Sequence, residues 1–231
     1  MTFAALPGNL ARVREEIAGI QAREGLRGEV AIVAVTKGHP PEAARAALAA
    51  GLGDLGENRV QEALGKLEQL AELPVRWHLI GHLQTNKAKH VAGRFAMVHS
   101  VDSARLADAL ARAVDERAGG KPLPVLLQVN VAGEAQKSGC APEEAEAVAR
   151  RIASLPALVL RGLMTMAPFV DDERVHHRVF GDLRELRDQL ERSGLELPEL
   201  SMGMSGDYRA AVAEGATILR LGTVLFGERP S

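Results

Sequence analysis

From Gly8 to Gly25, apolar residues recur at helical spacing, with Leu10, Val13, Ile17 and Ile20 sharing one face. That pattern predicts an amphipathic helix. Beyond it, short apolar runs alternate with longer stretches rich in Ala, Arg and Glu. The runs predict strands at Val30–Thr36, Asp54–Gly56, Arg76–Ile80, Ala96–Ser100, Val125–Val131, Leu158–Met164, Glu199–Met202 and Thr217–Gly222. The stretches predict helices, among them Pro41–Ala50, Arg59–Ala71, Ser103–Arg117, Pro142–Ser154 and Asp172–Arg192. Pro41 and Pro142 suit first helical turns, and Gly51 and Gly194 suit helix ends. Strands that alternate with helices predict an α/β fold with a parallel sheet. Eight of them fit a single (β/α)8 TIM barrel with an extra N-terminal helix, one domain over residues 1–231. An open doubly wound sheet is the rival, weakened because no GxGxxG follows the first strand.

Composition narrows the class. A formal net charge of −2 gives no general attraction to nucleic acid or anionic lipid. Cys140 is the one cysteine, so no intramolecular disulfide or cysteine cluster for zinc is expected. No apolar run approaches the roughly 20 residues of a membrane span, and the N-terminus lacks the features of a signal peptide. A cytoplasmic protein is the expectation. Of 28 basic residues, only Lys37, Lys66, Lys87, Lys89, Lys121 and Lys137 are lysines. A lysine at a strand end in so arginine-rich a chain suggests amine chemistry, which a guanidinium cannot supply.

In a (β/α)8 barrel, functional groups gather where each strand runs into the following loop. Lys37 follows the apolar run Ala31-Ile32-Val33-Ala34-Val35, at the expected barrel mouth. Partial burial there would favour the neutral amine that attacks an aldehyde; an ion pair with Glu57 or Asp54 would also suit the position. Ser201-Met202-Gly203-Met204-Ser205-Gly206 and Gly222-Thr223 end the last two strands. Glycines admit backbone N–H groups to an anion and hydroxyls add donors, although ordinary turn chemistry needs the same residues. A helix starting near Ser205 would add its positive end. Barrel closure makes these loops neighbours of Lys37. Arg220 alternates with Leu219 and Leu221, so it is expected to point into the mouth, unless it pairs with Glu214 or Glu228. There it would donate to a ring nitrogen of a bound cofactor and, being always charged, keep that nitrogen unprotonated. His78 and His82 lie about 13 Å apart on an extended segment, too far to share an ion. His176 and His177 point about 100° apart on a helix and are expected in solvent. Metal catalysis is therefore not expected. Asp171, Asp172 and Glu173 read as a helix N-terminal charge cluster.

In order along the chain stand Ala34-Val35-Thr36-Lys37, Gly56-Glu57-Asn58-Arg59-Val60-Gln61-Glu62, Trp77-His78-Leu79-Ile80-Gly81-His82-Leu83-Gln84, Gln128-Val129-Asn130-Val131, Lys137-Ser138-Gly139, Gly162-Leu163-Met164-Thr165-Met166, Ser201-Met202-Gly203-Met204-Ser205 and Arg220-Leu221-Gly222-Thr223. With these motifs the chain resembles the pyridoxal phosphate homeostasis proteins, related to the barrel domain of alanine racemase. The resemblance implies pyridoxal 5'-phosphate held as a Schiff base on Lys37, with Asn58 beside it. It implies that Ser201, Gly222 and Thr223, with the loop at Ser205 and Gly206, hold the phosphate, and that Arg220 faces the pyridine nitrogen. It further implies buffering or delivery of the cofactor, with PLP-dependent apoenzymes as recipients and no robust catalysis. His39 stands where relatives often carry a second lysine, which puts any relay through that lysine in doubt.

The alternative is a weak or specialised amino-acid racemase. Alanine racemase adds a β domain and takes a second base, a tyrosine, from a partner site. A chain ending at Ser231 is expected to leave no room for that domain. Tyr208 is the only tyrosine and is expected to face solvent, so a two-base mechanism is not visible in the sequence. Lys37 alone would support slow one-base exchange.

Overall fold

The computed structural model describes residues 3–117, 119, 121–134 and 138–228. Its sheet is a closed barrel of parallel strands in sequential order, β1 to β8. These are β1 Ala31–Val35, β2 Asp54–Glu57, β3 Arg76–Leu79, β4 Met97–Val101, β5 Leu123–Gln128, β6 Leu158–Met164, β7 Glu199–Ser201 and β8 Ile218–Leu221. The helices are α1 Leu6–Glu24, α2 Pro41–Ala49, α3 Val60–Gln69, α4 Ala88–Val91, α5 Ala104–Arg117, α6 Ala145–Ala153, α7 Glu173–Arg192, α8 Tyr208–Ala213 and α9 Thr223–Phe226. No helix among the described residues is long and apolar enough to cross a membrane.

The alternation of strand residues divides the apolar residues into two layers. Val33, Leu126, Met164 and Ile218 meet inside the barrel. The larger layer lies between strands and helices, where Leu55, Leu79, Val98, Leu163, Leu200 and Leu219 are buried with helix residues such as Leu110, Ile152 and Phe180. The same parity decides where polar residues go. Arg220 shares a strand face with Ile218, and His78 pairs in register with Gly56, whose added Cβ would touch the Val33 and Ile80 side chains. Arg220, Ser201 and His78 therefore face the lumen.

Helix α1 lays Leu6, Leu10, Val13, Ile17 and Ile20 on the barrel's outer helices and ends at Gly25, whose φ of 67° only glycine adopts readily. Its Asn9 side chain donates to Leu225 O at 3.0 Å, and its Glu16 accepts the Tyr208 hydroxyl. Tyr208 is thus buried against α1, and not in solvent as the sequence suggested. Burial, with the Glu16 carboxylate beside it, pushes its phenol up to about 12. Two boundaries also differ from expectation. Pro142–Glu144 form a 3-10 turn before α6. Strand β5 stops at Gln128 because the chain folds back on itself there: Cys140 N donates to Gln128 O at 3.0 Å and Asn130 N to Cys140 O at 2.9 Å. Lys137 lies outside the described residues. The expected acidic cluster before α7 does cap it, with Asp172 accepting Arg174 N at 3.0 Å.

The β6–β7 pairing depends on one glycine. Gly162 has φ +153°, and a Cβ there would stand 1.9 Å from Glu199 O. Gly162→Ala is expected to lower the unfolding free energy on the order of 3 kcal/mol, read as a fall in urea midpoint. An unchanged midpoint would show that β6 can yield without cost.

Candidate functional site

At the mouth formed by the C-terminal strand ends, a cavity of about 490 Å³ is lined by Lys37, Asn58, Ser205, Gly206, Arg220, Gly222 and Thr223 among others. Structure thus gathers most of the residues singled out in the sequence around one space. Ser201 is the exception. Its side chain is fully buried under Arg220 inside the lumen, so it supports the guanidinium and does not face the loops.

Lys37 leaves the barrel where β1 ends, and the turn carrying it is fixed from behind. Thr36 N donates to Gly56 O at 3.1 Å and His39 N to Thr36 O at 3.0 Å. On the outer face of the sheet, Lys66 Nζ donates to Glu57 Oε1 and to Thr36 O, both at 2.7 Å. Thr36 Oγ1 donates to the same Glu57 oxygen at 2.6 Å, and Gly38 N to Glu62 Oε1 at 2.7 Å. The backbone before Lys37 is therefore tied to the buried Glu57–Lys66 pair, and the backbone after it to Glu62, which lies 3.5 Å from Lys66. The alternative partners weighed for Lys37 have other engagements: Glu57 with Lys66 and Asp54 with Arg76 and His78. Lys66, on α3, is the lysine that sequence reasoning did not single out, and its partner Glu57 is supplied by the neighbouring strand β2.

The phosphate-type end is made of backbone. Gly222 N and Val224 N both donate to Ser205 Oγ at 3.2 Å, which ties the loop after β7 to the start of α9, and Ser205, Gly206, Gly222 and Thr223 line the cavity there. The expectation of a helix starting near Ser205 is corrected. Helix α8 begins at Tyr208, behind Asp207, whose carboxylate accepts Met204 N. Burial raises that carboxyl, although the Met204 N–H works against the shift. The N–H and O–H groups that gather here come from the Ser205 loop and from the first turn of α9, whose N-cap is Gly222, and not from the start of α8.

Arg220 is 3% exposed. It donates from Nη1 to Ser201 Oγ at 2.7 Å and from Nη2 to Thr165 O at 2.8 Å. Glu214, once a possible partner, is held by His177 at 2.9 Å and Arg184 at 2.7 Å. Burial pulls the Arg220 guanidinium down to about 10, with Asp207 opposing the shift, so it stays charged at neutral pH. The near wall is set by a close approach: a Cβ on Gly81 would fall 2.3 Å from Asn58 O, so Gly81 is what lets Asn58 lie at the rim.

Three histidines depart from expectation or were missed. His176, expected in solvent, is buried and lines the cavity. His78 turns into the lumen to meet His99, while His82 stays on the rim, 3.5 Å from Asp102. His99 was not singled out, although its alternation with Val98 and Ser100 carried the signal.

Known proteins resemble this chain over nearly its whole length. The alanine racemase N-terminal domain matches residues 8–230. A pyridoxal phosphate homeostasis protein of Pseudomonas aeruginosa is 49% identical over 219 residues, covering 95% of this chain and 92% of that one. Its counterpart in Aquifex aeolicus is 44% identical, covering 95% and 96%. The solved structure of PipY from Synechococcus elongatus with PLP bound superposes with a TM-score of 0.85 at 39% identity, over 96% of this chain and 100% of that one.

The buried pair makes a prediction. Lys66→Met leaves Glu57 without its cation and is expected to cost about 3–5 kcal/mol at neutral pH by urea denaturation. Burial already raises the Glu57 carboxyl, with Lys66 and Thr36 opposing it. A carboxyl raised in the folded state opposes folding as pH rises through its folded value, so the deficit should shrink as the solution is acidified. A deficit independent of pH would contradict this assignment.

Proposed function

The chain belongs to the alanine racemase N-terminal domain family and, within it, to the pyridoxal phosphate homeostasis proteins; from that footing we propose that it binds pyridoxal 5'-phosphate on Lys37 and buffers or delivers it in the cytoplasm, with PLP-dependent apoenzymes as recipients. The observation that carries the reading is the presence, in one cavity, of three chemically distinct groups. These are a primary amine at Lys37, a cluster of backbone and hydroxyl groups at Ser205, Gly206, Gly222 and Thr223, and a buried guanidinium at Arg220.

The donor set fits the cofactor. Its phosphate needs several N–H and O–H donors at one point, for which the loops of Ser205, Gly206, Gly222 and Thr223 are placed. Its ring nitrogen needs a donor that does not itself give up a proton, and Arg220 stays charged at neutral pH. When bound, the cofactor supplies an aldehyde that condenses with the Lys37 amine to a Schiff base, releasing water. The remaining work falls to the protein. Lys37 is half-buried, so its turn, fixed by Glu57, Lys66 and Glu62, presents the amine in one direction. Asn58 and Ile80 bound the space beside it. Arg220 holds the ring nitrogen as an acceptor, which limits electron withdrawal and with it carbanion chemistry at a substrate. Holding is favoured over turnover.

The racemase alternative is less well served. Tyr208 turns its hydroxyl to Glu16 and away from the cavity, so the one tyrosine of the chain does not face Lys37 as a second base.

Two measurements test the proposal. The purified protein mixed with PLP is expected to gain a visible absorbance band that Lys37→Ala lacks. The loaded protein is expected to activate a PLP-dependent apoenzyme faster than an equal concentration of free cofactor. A Lys37→Ala variant with the wild-type band would contradict the assignment of the lysine. Delivery no faster than from free PLP would contradict the carrier role. Solvent deuterium entering the α-position of an amino acid at a catalytic rate would favour the racemase.

A further inference from the structure

A line of polar side chains crosses the inside of the barrel, and the cofactor site uses only one end of it. Arg220 Nη1 donates to Ser201 Oγ at 2.7 Å, and that oxygen lies 2.8 Å from His99 Nδ1. His99 Nε2 lies 2.9 Å from His78 Nδ1, and His78 Nε2 lies 2.9 Å from Asp54 Oδ1. Ser201 and His99 are fully buried, and His78 nearly so. Asp54 sits at the opposite mouth, where Arg76 Nε also donates to it at 2.6 Å and where a second cavity opens. The line follows neighbouring strands β2, β3 and β4, then crosses the lumen from His99 to Ser201 on β7 and ends on β8.

Accounting for hydrogens gives the line a direction. A carboxylate only accepts, so His78 Nε2 carries a hydrogen toward Asp54. With His78 neutral, its Nδ1 accepts from His99 Nε2. His99 Nδ1 then accepts the Ser201 hydroxyl, whose oxygen accepts from Arg220. Each donor meets one acceptor, from a buried cation to a carboxylate. Burial first, then the nearby His78 and Arg220, hold His99 well below its ordinary value, in keeping with a neutral ring. One further proton on His78 reverses the inner bonds: His78 Nδ1 would donate to His99, and His99 Nδ1 to Ser201. The groups facing His78 are Asp54 on β2, Arg76 on its own strand, His99 on β4 and, beyond it, Arg220 on β8.

We propose that Asp54, His78, His99 and Ser201 form a positioning chain that holds the Arg220 guanidinium against the cofactor's ring nitrogen, and that the proton setting at the Asp54–His78 end is transmitted to the bound cofactor. These are positioning residues, because only Arg220 faces the cavity. The proposal rests on the cofactor site described above.

The test uses PLP-loaded full-length protein, measuring PLP affinity and the visible spectrum as a function of pH. The variants are Ser201→Ala, Ser201→Thr, Asp54→Asn and the Ser201→Ala/Asp54→Asn double. Each of Ser201→Ala and Asp54→Asn is expected to weaken PLP binding about tenfold, the effect of one charge-assisted hydrogen bond, and to shift the pH at which the spectrum changes. Ser201→Thr, which keeps the hydroxyl, should restore the wild-type pH response. The double variant should bind no more weakly than either single one, because both break the same chain, whereas independent sites would add. Additive losses, or a spectrum and pH response unchanged in both single variants, would overturn the chain and leave the cofactor site standing. A wild-type protein with no visible band and no borohydride-fixed cofactor would overturn the site and the chain with it. Asp54→Asn lies at the solvent-reachable mouth and nearly preserves shape, so it reads the chain even if Ser201→Ala disturbs folding.

Discussion

The hydrogen-bonded pairing of β1 with β8, Ala31 to Ile218 through Ala34 to Leu221, is the constraint on which the site depends. It closes the barrel and so brings together groups from opposite ends of the chain. Lys37 leaves the end of β1; Arg220 lies within β8 and Gly222 just beyond it. A one-residue slip in this register would turn Arg220 out of the lumen and into the layer of helices. Closure therefore sets the distance from amine to anion donors and also the face on which the guanidinium stands. Neither local propensity nor any single motif specifies that.

Two buried polar systems flank the site on opposite faces of the sheet. Outside, the Glu57–Lys66 pair anchors the backbone around Lys37 from the side of α3. Inside, the line from Asp54 to Arg220 occupies lumen space that a purely structural barrel would fill with branched apolar residues. Burial without partners would make either system costly. Their hydrogen bonds offset that cost and leave little freedom in the two functional groups they hold. The Asp54 carboxyl illustrates the balance: burial works to raise it, yet hydrogen bonds from His78 and Arg76 hold it well below the usual aspartate range.

The architecture was legible because parallel strands buried on both faces leave apolar runs, and helices between them leave a 3.6-residue period. All eight strand positions were recoverable to within a few residues. Lys37, Ser205, Gly206, Arg220, Gly222 and Thr223 could be named from strand ends, and Asn58 from the family resemblance. What could not be read was direction in space. Ser201 ends a strand like the others, but parity turns it under Arg220. His176 sits on a helix face that sequence alone leaves ambiguous, and it is buried against the cavity. Tyr208 became a contact of α1, an element from the far end of the chain. Helix α8 starts later than expected because the chain first turns through Asp207. Lys66 and His99 were missed for one common reason: each acts through a neighbour that only tertiary packing supplies.

A carrier and an enzyme built on the same barrel differ in what surrounds the lysine. In the proposed site the surroundings are donors suited to a phosphate and a ring nitrogen, and the one tyrosine looks elsewhere. The most direct measurement is a crystal structure of the protein grown with PLP. It should show a covalent bond from Lys37 Nζ, the phosphate at the loops of Ser205, Gly206, Gly222 and Thr223, and Arg220 within hydrogen-bond reach of the ring nitrogen. A cofactor bound without that covalent bond, or with its phosphate away from those loops, would contradict the account.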